Sequence, residues 1–284
     1  MPALIDTHLH LIYRKSLGYG WTSEIPALAT GDFTLDDARA LMGDRVAGAV
    51  FMEAAVDDAG YKDEARLIGG LIGQSGGVLL GQIASCRPEE PAGLDDWIDE
   101  GQGLGVVGYR RVLHVVPDAL SQSDIFRRNI SMIGARGLTF DMCFTARQLG
   151  LAQALAQACP DTKLVLDHCG VPDIAGGGFD AWRAGIDAIA KLPHVTCKLS
   201  GLMAYCAPGT AGFATIRPYV DHVFTRFGPD RVVWGSDWPV VNLGGGLVDW
   251  LDVTAQILDM LSAEERIAVA HGNARQVYGL PAAP

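Results

Sequence analysis

Eight times along this chain a short run of apolar or β-branched residues gives way to a longer stretch with helical spacing. That alternation constrains the fold more than any other feature. The short runs read as strands over Ala3–His8, Ala47–Glu53, Val78–Ser85, Val106–Val112, Leu138–Phe144, Lys163–His168, Val195–Ser200 and Arg231–Ser236. Helical spacing is clearest in Lys62–Gln74, where Ala65, Ile68, Leu71 and Ile72 share one stripe. It recurs in Ser123–Arg136, Arg147–Ala158, Asp180–Leu192 and Gly212–Phe227. Eight strands alternating with helices predict an α/β fold, the (β/α)8 TIM barrel. No linker or low-complexity tract interrupts the pattern, so residues 1–284 read as a single domain, long enough for one large core. One or two helices in Leu261–Tyr278 close it, the last starting at a capping box from Ser262 to Glu265.

Barrels of this kind do chemistry at the carboxyl ends of their strands, where the βα loops gather. Position therefore works as a filter on polar residues. Two loops at that end are long, Leu11–Thr34 and Gly201–Gly212, as lids and substrate walls often are. On the first strand, period two places Asp6, His8 and His10 on one face and Ile5, Thr7 and Leu9 on the other. Two imidazoles converging there can grip a divalent cation or polarise a carbonyl, although two unliganded histidines would show the same spacing. Other strands end at Glu53, Arg110-Arg111, Asp141, Asp167-His168, Lys198 and Ser236-Asp237-Trp238. Each alone could be a satisfied structural residue. Together they would cost a barrel core too much unless they were paired or used. Period two turns Arg110 toward the pocket and Arg111 toward the helices or the rim. His194 and His222 read as structural or surface residues, while His114 and His271 stay open.

A net charge of −11 argues against nucleic acid and anionic membranes as partners, which leaves small molecules. A homo-oligomer is compatible with the sequence. The six cysteines are scattered without a Cys-x-x-Cys pair and read as buried free thiols of a reducing compartment. With no signal-peptide pattern and no apolar run of about 18 residues, the expectation is a soluble cytoplasmic protein.

Five motifs then carry a resemblance: Asp6-Thr7-His8-Leu9-His10, Gly108-Tyr109-Arg110, Leu166-Asp167-His168-Cys169-Gly170, Lys198-Leu199-Ser200-Gly201-Leu202 and Gly235-Ser236-Asp237-Trp238-Pro239. The chain resembles the amidohydrolase superfamily, within it the branch of TIM-barrel metal-dependent hydrolases that includes sugar lactonases and 2-pyrone-4,6-dicarboxylate lactonase. The likeness runs nearly the whole length, ending in Asn273-Ala274-Arg275 and Tyr278-Gly279-Leu280. It implies a hydrolase of carbohydrate metabolism that opens the ester ring of a lactone, above all a sugar-acid (aldono) lactone. It also implies that His8, His10, His168 and Asp237 face one pocket.

The sequence departs from the superfamily's binuclear pattern. Arg110 stands where a carboxylated lysine would lie on the fourth strand, and Asp141 where a histidine would lie on the fifth. The resemblance then implies at most one divalent metal ion, zinc by preference, on His8, His10 and Asp237, with His168 or Glu53 as a further ligand. Metal-free enzymes occur in the same branch, and metal-free catalysis stays open. Arg111 also departs, since the branch often has histidine there.

Lactone hydrolysis needs a positioned water, a base and a positive group for the developing oxyanion. Asp237 is the expected base and later the proton donor to the departing ring oxygen. His8, His10 and His168 would polarise the carbonyl, and Arg110 and Lys198 would hold the oxyanion or substrate oxygens. Glu53 and Asp141 are further candidate substrate contacts. Trp21, Tyr205 and Trp238 read as walls for a sugar ring or as ordinary rim and core aromatics. The alternatives are a lactonase of aromatic degradation acting on a pyrone or muconolactone, a metal-dependent decarboxylase and a lactone isomerase. A dicarboxylate substrate would call for several pocket arginines, and the strand-end filter finds one, Arg110, beside Lys198. A barrel kept only as a scaffold fits poorly with four such site residues in place.

Overall fold

Each of the eight expected strands forms: β1 (Leu4–Leu9), β2 (Val46–Met52), β3 (Leu79–Ser85), β4 (Val106–Val112), β5 (Thr139–Cys143), β6 (Leu164–Leu166), β7 (Val195–Leu199) and β8 (Val232–Trp234). The computed structural model describes residues 2–281. Every strand pairs in parallel with the next, in the order β1 to β8. The ring closes just beyond β8, where Leu9 bridges Trp238, Asp237 N–H donates to His8 O at 2.9 Å and His10 N–H donates to Trp238 O at 2.8 Å. The fold is the (β/α)8 TIM barrel.

The helices are α1 (Leu35–Met42), α2 (Tyr61–Gln74), α3 (Leu94–Gln102), α4 (Asp124–Ala135), α5 (Leu149–Ala158), α6 (Phe179–Ile189), α7 (Phe213–Phe227), α8 (Leu247–Leu258), α9 (Ala263–Ile267) and α10 (Asn273–Tyr278). Helical spacing had marked α2 and α4 to α7. It did not single out α1 and α3, which are about two turns long, nor α8, which buries Leu247, Trp250, Leu251, Ile257 and Leu258 and exposes Asp249, Asp252 and Gln256. The capping box opens α9: Glu265 N–H donates to Ser262 Oγ, and Ser262 N–H to Glu265 Oε2.

Two apolar layers form. The outer one lies between strands and helices and includes Leu4, Phe51, Trp97, Phe140, Trp182 and Trp250. The inner one fills the barrel with Ile5, Val50, Met52, Ile83, Val165 and Val233 and is completed by Ala274, Tyr278 and Leu280 from the C-terminal segment. Asn273 Nδ2 donates to Pro229 O and Val232 O at 2.7 Å each, so α10 plugs the amino end of the barrel. The opposite end is left for chemistry.

Strict alternation fails on β1. Ile5 and His8 both point inward, because the register shifts between Asp6 and Leu9. Asp6 does not join the pocket face; its Oδ1 accepts from His8 N–H at 2.9 Å and Ser236 N–H at 2.8 Å and so staples β1 to the segment after β8. β6 and β8 stop two residues short of the expected ends because the backbone then leaves the β region: His168 and Cys169 have φ 53° and Asp237 has φ 57°. Non-glycine residues rarely hold such φ values, and those that do cluster at functional sites. Cys206 is half-buried, the other five cysteines are buried, and all six are free thiols. Among the described residues no helix is long and apolar enough to cross a membrane.

Candidate active site

A cavity of about 480 Å³ opens at the carboxyl end of the barrel. His10, Glu53, Arg110, His168, Tyr205 and Asp237 line it, and Trp21 stands at its mouth, 39% exposed. Strand order thus brings together residues spread over more than two hundred positions of sequence.

Asp237 lies among three imidazoles. Its Oδ1 is 3.8 Å from His8 Nε2 and 3.5 Å from His10 Nε2, and its Oδ2 is 3.9 Å from His168 Nδ1. That Oδ2 is buried and accepts no hydrogen bond among the described residues. His10 Nδ1 faces Met52 O at 2.9 Å, an atom that only accepts, so Nδ1 carries the proton. His10 Nε2 faces the Asp237 carboxylate. Burial, with His168 and Lys198 adding, pushes His8 well below the ordinary histidine range against the pull of Asp167. Burial also lowers His168, against Asp237 and Asp167. Both shifts favour the neutral imidazole.

Arg110 is clamped in the wall. Its Nε donates to Glu53 Oε1 and its Nη2 to Glu53 O, both at 2.6 Å, while Nη1 lies 3.3 Å from His8 Nε2 and 3.4 Å from Asp167 Oδ2. Under the cavity floor sits a second charged layer. Lys198, fully buried, ion-pairs with Asp141 and with Asp167 at 3.0 Å, and Tyr278 Oη donates to Asp141 at 3.0 Å. Burial raises Asp141 to about 6 against the pull of Lys198. Asp167, though buried, is held well below the usual carboxylate range by Lys198, His8 and Arg110.

Three expected substrate contacts therefore do not reach the cavity. Lys198 and Asp141 point into the barrel one layer too low and are consumed by their own ion pair. Trp238, 2% exposed, packs edge-on against Phe33 with ring centroids 5.4 Å apart. Trp21 and Tyr205 line the cavity. Arg111 reaches the cavity wall and pairs with Glu89 at 2.7 Å. Strand-end reasoning missed Arg87, two residues past β3, whose Nε donates to Asp58 Oδ1 at 3.0 Å and whose Nη1 donates to Ser85 Oγ at 2.9 Å. A filter extended by two residues would have found it. Asp167, which follows β6 and to which strand-end reasoning assigns no role, is the hub joining His8, Arg110 and Lys198. His114 lies in the cavity wall with Nδ1 3.4 Å from Cys143 Sγ. His194 bonds Ala156 O and His222 pairs with Asp187, structural uses that match expectation.

The donor set fits one cation. Ligand atoms of His8, His168 and Asp237 all lie within 4.8 Å of one another, and the orphaned Asp237 Oδ2 is the negative member such a group needs. Here His168, rather than His10, is the imidazole that completes the group with His8. Cys143, Asp167 and His168 meet the same distance. That second group fits poorly, since Asp167 already serves Lys198 and Arg110 and burial pushes the Cys143 thiol up to about 12.

Comparison with known proteins agrees with this geometry. The amidohydrolase family matches residues 5–280. An L-fucono-1,5-lactonase of Burkholderia ambifaria is 35% identical over 188 residues, spanning 65% of this chain and 57% of that protein. An L-fucono-1,5-lactonase of Burkholderia multivorans is 29% identical over 98% of this chain and 96% of its own length. A Burkholderia multivorans amidohydrolase crystallised with bound zinc superposes with TM-score 0.89 at 27% identity, covering 98% of this chain and 100% of that one. With the barrel, the strand-end histidines and Asp237 in place, the chain belongs to the amidohydrolase family.

Proposed function

We propose that this protein is a lactonase that opens the ester ring of a neutral sugar-acid (aldono) lactone by general-base-assisted attack of water. One observation carries the reading: Asp237 sets its carboxylate among three imidazoles, Oδ1 toward His8 and His10 and the buried, unpartnered Oδ2 toward His168, at the floor of a cavity wide enough for a small sugar ring. Asp237 takes the proton of the attacking water and returns it to the departing ring oxygen, so atoms and charge balance over the cycle. The Arg110 guanidinium, fixed by Glu53, supplies positive potential for the tetrahedral oxyanion. Lys198 acts from below, setting the field at His8 and Asp167. A zinc ion on His8, His168 and Asp237, with His10 adjoining, would act as Lewis acid on the lactone carbonyl and lower the pKa of the nucleophilic water. The zinc-bound Burkholderia multivorans relative supports zinc as the ion.

The cavity's arginines favour a neutral substrate over a dicarboxylate. Arg87, Arg110 and Arg111 all line it, yet each already faces a carboxylate, of Asp58, Glu53 and Glu89. None is left over for a substrate carboxylate. Two relatives, the L-fucono-1,5-lactonases of Burkholderia ambifaria and Burkholderia multivorans, support a sugar-acid lactone as substrate.

The test is proton release across a panel of aldonolactones that includes L-fucono-1,5-lactone, beside 2-pyrone-4,6-dicarboxylate. Metal content is measured by elemental analysis on the same preparation. Neutral lactones should be hydrolysed and the dicarboxylate spared, with about one metal per chain whose removal by chelator abolishes turnover and whose return as zinc restores it. Faster turnover of the dicarboxylate, or release of carbon dioxide from aromatic acids without lactone hydrolysis, would refute the reading.

Trp21 gives a second check. Its Nε1 donates to Ala54 O at 2.9 Å, which holds the indole over the mouth. Trp21→Ala should raise KM about tenfold with kcat little changed, as expected for lost uniform binding against one ring face. An equal fall in kcat would show instead that the indole acts in the transition state.

A further inference from the structure

Helix α2 turns one carboxyl inward where its pattern calls for an apolar side chain. Glu64 is 1% exposed, on the same buried stripe as Ala65 and Ile68, and has no ion-pair partner among the described residues. It accepts one hydrogen bond, from Ala54 N–H to Oε1 at 3.0 Å. Ala54 belongs to the turn that leaves β2, and that turn is built tightly. Ala55 holds φ 49° and its N–H donates back to Glu53 Oε2 at 2.9 Å. Glu53 Oε1 and Glu53 O take Arg110 Nε and Nη2, Ala54 O takes the Trp21 indole, and Glu53 N–H stays in the sheet on Ile83 O. The remaining amide, Ala54 N–H, is anchored by Glu64 alone. A left-handed alanine persists only where its surroundings over-determine it.

We propose that Glu64 is a positioning residue: by receiving the Ala54 amide it fixes the left-handed Ala55 turn, which sets Glu53 against Arg110 and holds the Ala54 carbonyl under the Trp21 indole. One side chain outside the cavity thereby governs both the oxyanion-side arginine and the aromatic wall at the mouth. The inference rests on the lactonase reading for its kinetic consequence, but its structural consequence at Trp21 needs no substrate.

The test compares Glu64→Gln, Glu64→Asp and Glu64→Leu. The readouts are kcat and KM on the fastest aldonolactone of the panel, the thermal midpoint, and the emission and acrylamide quenching of Trp21. The Trp21 signal is taken as the difference between each protein and its Trp21→Phe counterpart. Glutamine keeps an oxygen acceptor at the same reach and should stay within about threefold of wild type in both constants. Leucine removes the acceptor, and kcat should fall on the order of 10- to 100-fold, as small misplacements of catalytic groups do. KM should rise, and Trp21 emission should shift to longer wavelength with stronger quenching. Aspartate withdraws the carboxyl by one methylene and should show the same changes at about tenfold in kcat; it carries the test if the leucine variant does not fold.

A leucine or aspartate variant that loses thermal stability yet keeps wild-type kcat, KM and Trp21 emission would reduce Glu64 to a structural residue and overturn the proposal. So would a glutamine variant as impaired as the leucine one. If wild-type protein turns over no lactone, the function fails, and the Trp21 emission of the variants still decides the role of Glu64.

Discussion

Asp237→Asn should fold as wild type does and lose on the order of 10²–10⁴ in kcat, the usual worth of a positioned proton-transfer group. The fold should survive for a backbone reason. Asp237 sits at φ 57°, and asparagine is among the few residues that adopt the left-handed region readily, so the turn after β8 keeps its shape. The Asp237 N–H bond to His8 O, which helps close the barrel, does not involve the side chain and is retained. What disappears is the basic oxygen that faces His168 and the negative charge opposite His8 and His10. Alanine would be a poorer probe, because it adds strain at φ 57° to the loss of function. Kinetics and a thermal melt on the same sample separate the two effects. Turnover within tenfold of wild type would remove Asp237 from the base role.

Lys198→Met carries the second large effect, and it falls on stability. Methionine matches the length of the lysine stem but leaves Asp141 and Asp167 buried without their shared cation. Breaking a buried ion pair from one side costs about 3–5 kcal/mol, because the remaining charge has no water to return to. For a chain of this size that is a fall of roughly 6–20 °C in Tm. Adding Asp141→Asn to Lys198→Met should restore part of the loss, since Asp167 keeps Arg110 and His8 as partners. Urea unfolding of the single and double variants measures both quantities. A Lys198→Met protein as stable as wild type but catalytically dead would instead return the lysine to the role of direct oxyanion contact.

The two variants divide along the line between what could be read early and what could not. The barrel was legible because buried parallel strands are short apolar runs and amphipathic helices repeat at 3.6 residues, and both periods are written in consecutive residues. The same holds for His8 and His10, two residues apart at the end of the first strand, and for Asp237 just past the last one. α1 and α3 escaped because about two turns leave a helical period little length in which to repeat.

Depth in the barrel was not legible. Lys198, Asp141 and Arg110 all point inward from strand ends, yet Arg110 reaches the cavity while the other two lie beneath its floor. Period two gives a side chain's direction and says nothing of where its polar end comes to rest. Arg110 and Asp141 are register partners on β4 and β5, yet the guanidinium is held by Glu53 while the Asp141 carboxylate is held by Lys198 and Tyr278, partners that only the closed barrel supplies. Tyr278 reached Asp141 from 137 residues away only because α10 caps the barrel. Arg87 and Glu64 gained their places from a loop's path and a helix's rotation, neither of which leaves a local mark.

The sequence by itself determined the barrel, its family and the histidines and aspartate at the strand ends, since each is encoded in a period or motif of a few neighbouring residues. Tertiary structure alone decided which charges meet substrate, which are spent in the ion-paired layer below, and which backbone turns hold the site in place. Those outcomes depend on distances between strands far apart in the chain, and only the closed barrel fixes them.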